Sequence, residues 1–109
     1  MPVGEFVKVA TLDELPLGGL LGVELPDGLK ICLAHTQTGF YAVADSCPHL
    51  GESLSKGTTN YLNEVVCPWH SYRYHLISGA ECKNRTRDAQ TFPVEVRADG
   101  LYIGLPEKP

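Results

Sequence analysis

The chain has 109 residues, enough for one compact domain and too few for a second of ordinary size. Hydrophobic residues make up 43% and charged residues 20%, the balance of a water-soluble globular protein. A formal net charge of −4 and a sequence pI of about 5.4 argue against nucleic acid or an anionic membrane surface as the partner.

Read in chain order, strand-like segments dominate. The start, Met1-Pro2-Val3-Gly4-Glu5, has no basic opening followed by an apolar run, so neither a secretory nor a twin-arginine signal is expected. Phe6 to Val9 reads as a short strand. Thr11-Leu12-Asp13-Glu14 has the form of a capping box and predicts one helical turn, ended by Pro16 and Gly18-Gly19. Leu20 to Leu25 and Leu29 to Ala34 predict a hairpin about Pro26-Asp27-Gly28. Phe40 to Ala44 is a further strand. From about Asp45 to Gly79 the chain turns rich in Gly, Ser, Pro, Cys and His, with Glu64-Val65-Val66 as its single strand-like piece. Thr91 to Arg97 and Leu101 to Gly104 then flank Ala98-Asp99-Gly100, another hairpin signal. No helix longer than two turns is expected. No apolar run approaches the roughly 20 residues that cross a bilayer, and the expected location is the cytoplasm. In that reducing compartment four cysteines point to ligands or buried thiols before disulfides.

The chemistry concentrates in two matched loops. Ser46-Cys47-Pro48-His49-Leu50-Gly51 is echoed by Val66-Cys67-Pro68-Trp69-His70-Ser71, with seventeen residues between His49 and Cys67. Each loop offers one thiolate and one imidazole, and each places Pro after Cys, restraining the backbone beside a ligand. Cys47, His49, Cys67 and His70 admit three readings. They could be fillers, though two matched Cys/His loops speak against that. They could be a Cys2His2 zinc site, although Cys-x-His is tighter than the usual zinc spacing. They could hold a cluster in which two histidines replace two cysteines on one of two irons.

The pattern Cys-Pro-His-Leu-Gly … Cys-Pro-Trp-His closely resembles the Rieske ferredoxins, soluble electron carriers of ring-hydroxylating dioxygenase systems. Flanking stretches fall in the family's order: Phe6-Val7-Lys8-Val9-Ala10, Asp13-Glu14-Leu15-Pro16, Phe40-Tyr41-Ala42-Val43, Phe92-Pro93-Val94-Glu95-Val96 and Leu101-Tyr102-Ile103. The resemblance implies an all-β, Rieske-like antiparallel sandwich or incomplete barrel with a loop-built cluster-binding subdomain. It implies one domain over 1–109, with a cluster subdomain at about 45–79 set in a β base of 1–44 and 80–109. It implies one Rieske [2Fe–2S] cluster, with Cys47 and Cys67 on the inner iron and His49 and His70 on the outer. Respiratory relatives pair an extra cysteine from each loop, and here those places hold Glu52 and Trp69, which favours the soluble branch.

Several residues invite two readings. Trp69 would cover the cluster or serve as a plain core aromatic. High-potential relatives carry Ser two residues and Tyr four residues after the last histidine; this chain has Tyr72 and Tyr74 there, with Ser71 one place early. The expected potential lies toward the low end, raised if the Tyr74 hydroxyl reaches a ligand sulfur. His75 is read as a surface residue, His35 as structural and Cys32 as a buried thiol. Cys82 adjoins the basic run Lys83-Asn84-Arg85-Thr86-Arg87, which suits a solvated loop or a docking patch for an acidic partner. Gly51, Gly57 and Gly79 suit ordinary turns, positive φ or close backbone approach.

The implied function is one-electron transfer from a flavin-dependent reductase to a terminal oxygenase, as a component of an oxidoreductase system. The chain has no nucleotide-binding glycine fingerprint and no mononuclear two-His-one-carboxylate motif. A small subunit of an NADH-dependent nitrite reductase, a relative of the same fold, is the nearest alternative. A zinc-stabilised interaction module is the alternative of another class.

Overall fold

A computed structural model of the chain describes residues 3–25, 28–46, 53–68 and 71–106. Among the described residues, ten strands form three antiparallel sheets with no closed barrel. The first sheet joins β1 (Val3–Ala10), β10 (Gly100–Pro106) and β9 (Val94–Arg97) in that order. The second runs β2 (Leu20–Glu24), β3 (Lys30–Thr36), β4 (Gly39–Ala44), β8 (Thr91–Phe92). The third is β5 (Thr58–Thr59), β6 (Glu64–Val66), β7 (Arg73–His75). Among the described residues the helical content is two three-residue 3-10 turns, Leu12–Glu14 and Leu54–Lys56.

The second sheet is the wall on which the molecule is built. On β3, Ile31 and Leu33 enter one core with Leu15, Ala42, Phe92, Leu101 and Ile103. Their neighbours Cys32 and Ala34 enter the other, with Val43, Leu54, Val65, Cys67 and Tyr74. Successive strand residues point to opposite faces, so the unbroken apolar run Ile31-Cys32-Leu33-Ala34 records a strand buried on both sides. The first core binds the wall to the β1–β10–β9 sheet. The second lies under the third sheet and contains Cys67.

Most predicted elements are present. Thr11 opens the first 3-10 turn, and its amide donates to Glu14 Oε1 at 2.8 Å. The Gly28 amide donates to the Leu25 carbonyl at 2.8 Å, closing the turn of the predicted first hairpin, although Pro26 and Asp27 lie outside the described residues. Gly100 pairs with Arg97, which makes Ala98-Asp99 the loop of the last hairpin. The expectation of one strand from Thr91 to Arg97 is corrected. Pro93 has no amide hydrogen, the chain changes sheets there, and the Pro93 carbonyl accepts from Gly104 at 2.9 Å. Strands β5 and β7 were not expected. Each is two or three residues long and exists because β6 lies between them.

Candidate metal centre

Of the four candidate ligands, Cys67 lies within the described residues; Cys47, His49 and His70, with Trp69, Gly51 and Glu52, lie outside them. The chain flanking both loops is described, and it brings their bases to one place. Asp45, just beyond β4, is a largely buried carboxylate that accepts from Ser53 Oγ at 2.9 Å, Ser55 Oγ at 2.7 Å and the Ser55 amide at 2.7 Å. These bonds tie the entry of the first loop to its exit. The exit then runs through Gly57 to Thr58, which pairs with Val66, the residue before Cys67. The first loop therefore ends where the second begins.

Cys67 sits at the end of β6 with 1% of its surface exposed, among Leu54, Val65, Tyr74 and Leu76. Its amide donates to the Tyr72 carbonyl at 2.7 Å, closing the chain on itself across 67–72. Ser71 takes up the closure strain, with φ of 56°. A non-glycine residue in that region has a cost, and the local hydrogen bond offsets it. An iron–sulfur centre requires thiolate sulfur, and Cys67 offers one at the base of the second loop. The described part of the donor set thus fits the group.

The surroundings of Tyr72 come from far along the chain. The Arg85 guanidinium lies 3.8 Å from the Tyr72 ring centroid. It is held there by Glu81, which accepts from Arg85 Nε at 3.0 Å, its terminal nitrogen at 2.7 Å and its amide at 2.8 Å. The Cys82 thiol also donates to Glu81, at 3.2 Å. Arg85 holds the buried Glu81 carboxyl well below the usual carboxylate range. With the native pKa depressed, the unfolded chain takes up a proton first, so this stabilisation is complete above about pH 5 and is lost on acidification below about 4. Glu81→Gln should lose about 2 kcal/mol at pH 7, typical of hydrogen bonds to a buried charge. Its urea midpoint should then change less between pH 5 and pH 3 than that of the unaltered chain; equal slopes would refute the assignment.

Other expectations meet their surroundings as follows. The buried Tyr74 hydroxyl stands 3.3 Å from Thr86 Oγ1, which donates to the Arg87 carbonyl at 2.9 Å. Cys32 is fully buried, and desolvation, with Asp45 nearby, pushes its thiol pKa far up. His35 stacks on Phe40 with ring centroids 3.9 Å apart, and its Nδ1 is 3.0 Å from the Leu15 carbonyl. His75 is half-buried, and its Nδ1 accepts from the Ile77 amide at 3.2 Å. Cys82 is exposed. Sequence reasoning missed Asp45, Glu81 and Arg85 as supports of the loops. Asp45 carried a signal, since a carboxylate ending an apolar strand needs hydrogen-bond donors nearby.

In sequence and in fold the chain is similar to proteins of one family. The model of the Rieske [2Fe-2S] domain matches residues 5–96. The 3-phenylpropionate/cinnamic acid dioxygenase ferredoxin subunit of Photorhabdus laumondii is 38% identical over 102 residues, covering 92% of this chain and 94% of that protein. A chain of the complex of reduced oxygenase and oxidized ferredoxin in carbazole 1,9a-dioxygenase superposes with a TM-score of 0.83 at 25% identity, covering 95% of this chain and 96% of that one. A protein assigned as an NADH-dependent nitrite reductase small subunit from Mycobacterium tuberculosis has the same fold, with a TM-score of 0.87 at 20% identity over 98% of this chain and all of its own. No helix among the described residues is long and apolar enough to cross a membrane.

Proposed function

Because the chain belongs to the Rieske [2Fe–2S] domain family, we propose that it is a one-electron carrier whose cluster is held by Cys47, His49, Cys67 and His70. The observation that carries the ligand assignment is the pairing of Thr58 with Val66, which joins the exit of one Cys/His loop to the entry of the other. When bound, the cluster supplies a one-electron couple, and two neutral imidazoles in place of thiolates raise its potential to roughly −150 to +300 mV, against roughly −400 mV for plant-type ferredoxins. Cys67 contributes its sulfur from an apolar, water-excluded position. Asp45 joins the two ends of the first loop, and the Cys67–Tyr72 hydrogen bond joins the two ends of the second. The cluster-bearing unit is about 45–79, with the β5–β6–β7 sheet as its frame, in a single domain of 1–109.

The electron comes from a flavin-dependent reductase and passes to a terminal oxygenase of the aromatic-ring-hydroxylating kind, in the cytoplasm. The near-full-length likeness to a dioxygenase ferredoxin subunit supports this reading. So does the likeness to a chain from an oxygenase–ferredoxin complex. The nitrite reductase alternative rests on fold alone, at 20% identity.

Protein produced anaerobically with ample iron tests the proposal. Two irons and two acid-labile sulfides per chain are expected, with an EPR signal on dithionite reduction that reports histidine ligation. A colourless, zinc-loaded preparation would leave the interaction module as the answer.

A further inference from the structure

The acidic charge of the chain is unevenly placed. Residues 71–88 hold four of its nine lysines and arginines (Arg73, Lys83, Arg85, Arg87) but only two of its thirteen acids, Glu81 and Asp88. The ion pairs in this region are also layered. Glu81 is 0% exposed at its side chain while its partner Arg85 is 38% exposed. Glu64 is 10% exposed while its partner Arg73, 3.4 Å away, is 40% exposed. The carboxylates face inward and the guanidinium groups face solvent. Lys83 and Arg87 are exposed with no ion-pair partner among the described residues. The cationic surface abuts the ligand turn, because Arg85 lies on Tyr72 and Tyr72 closes onto Cys67.

We propose that the surface formed by Arg73, Lys83, Arg85 and Arg87 docks an acidic face of the redox partner, so that a net-acidic protein presents a positive pole where its electron leaves. This rests on the carrier reading above. Charge of this kind steers encounter and raises association rates, with a salt dependence set by the surfaces that meet. Arg85 is already held by Glu81 and Tyr72, so part of the surface is ordered before the partner arrives.

The test uses the dithionite-reduced holoprotein with two one-electron acceptors, acidic plastocyanin and basic cytochrome c. One electron leaves the cluster and reduces Cu(II) to Cu(I) or haem Fe(III) to Fe(II). Between about 10 and 100 mM salt the Debye length shrinks from about 30 to about 10 Å. The plastocyanin rate should fall at least about twofold over that range, the opposite of what a net charge of −4 dictates. In the Lys83→Glu, Arg87→Glu double variant the plastocyanin rate should drop and its salt dependence reverse, while the cytochrome c rate rises. Absorption and EPR spectra should be unchanged. A plastocyanin rate that climbs with salt in the unaltered protein, or a double variant matching it, overturns the docking surface and leaves the carrier intact. Absence of the cluster signal in the unaltered protein removes the carrier reading and this surface with it.

Discussion

Cys67→Ala is expected to yield a colourless protein with no EPR signal after reduction, and to lower the thermal midpoint. Cys67 is the one candidate ligand whose surroundings are described. Cys32 is as deeply buried, but Cys67 alone of the two stands in a Cys-x-x-His loop, with its amide bonded to the Tyr72 carbonyl. Removing its sulfur deletes one of four anchors. Because cluster binding contributes folding free energy, the loss extends beyond colour. A deficit of about 2 kcal/mol would move the midpoint by roughly 9 °C in a domain of this size. Two controls separate ligation from thiol content. Cys82→Ser removes an exposed thiol and should keep the full cluster. Cys32→Ala opens a small void in the core, costs about 1 kcal/mol, and should also keep it. A Cys67→Ala protein with two irons per chain and an unaltered spectrum would remove Cys67 from the ligand set.

Gly57→Ala should be nearly as damaging, for a reason with no metal in it. Gly57 has φ of −90°, outside the left-handed region, so the obstacle to a side chain there is one of space. A Cβ at that position would run into the Val66 carbonyl oxygen and crowd the Leu54 carbonyl, 3.3 Å away. Both are backbone atoms held by hydrogen bonds, so neither can turn aside as a side chain would. The β5–β6 pairing must open, and with it the join between the two loops. A loss of about 3 kcal/mol is expected, at the upper end for overpacking. Cluster occupancy should fall too, because Val66 leads directly into Cys67. Gly28→Ala is the contrast. Gly28 has φ of +92° and open space around it, so its substitution should cost about 1 kcal/mol and leave occupancy untouched. Urea titration and iron analysis read both variants; equal losses at the two positions would defeat the argument.

The candidate ligands were legible because their chemistry is local. Cys-x-His and Cys-x-x-His, each with a proline beside the cysteine, state donor type and spacing within a few residues. The long strands were legible from apolar content, and both hairpins from their glycines. The break at Pro93 was also available, since a residue without an amide hydrogen cannot continue a paired strand. Strands β5 and β7 were not available, because two or three residues carry no periodicity of their own.

The basic run shows the boundary between the two kinds of knowledge. Lys83 through Arg87 was plainly cationic in the sequence, and solvated loop and docking patch described it equally well. Only the fold put Glu81 beneath Arg85 and Tyr72 under its guanidinium, thirteen residues away along the chain. By itself, the sequence determined the family, the candidate donors and the longer strands, all of which follow from neighbouring residues. The tertiary structure alone decided which backbone joins the two loops and which carboxylates turn inward. Those depend on segments distant in sequence sharing one core, where burial separates the two halves of an ion pair and leaves one of them for the solvent to see.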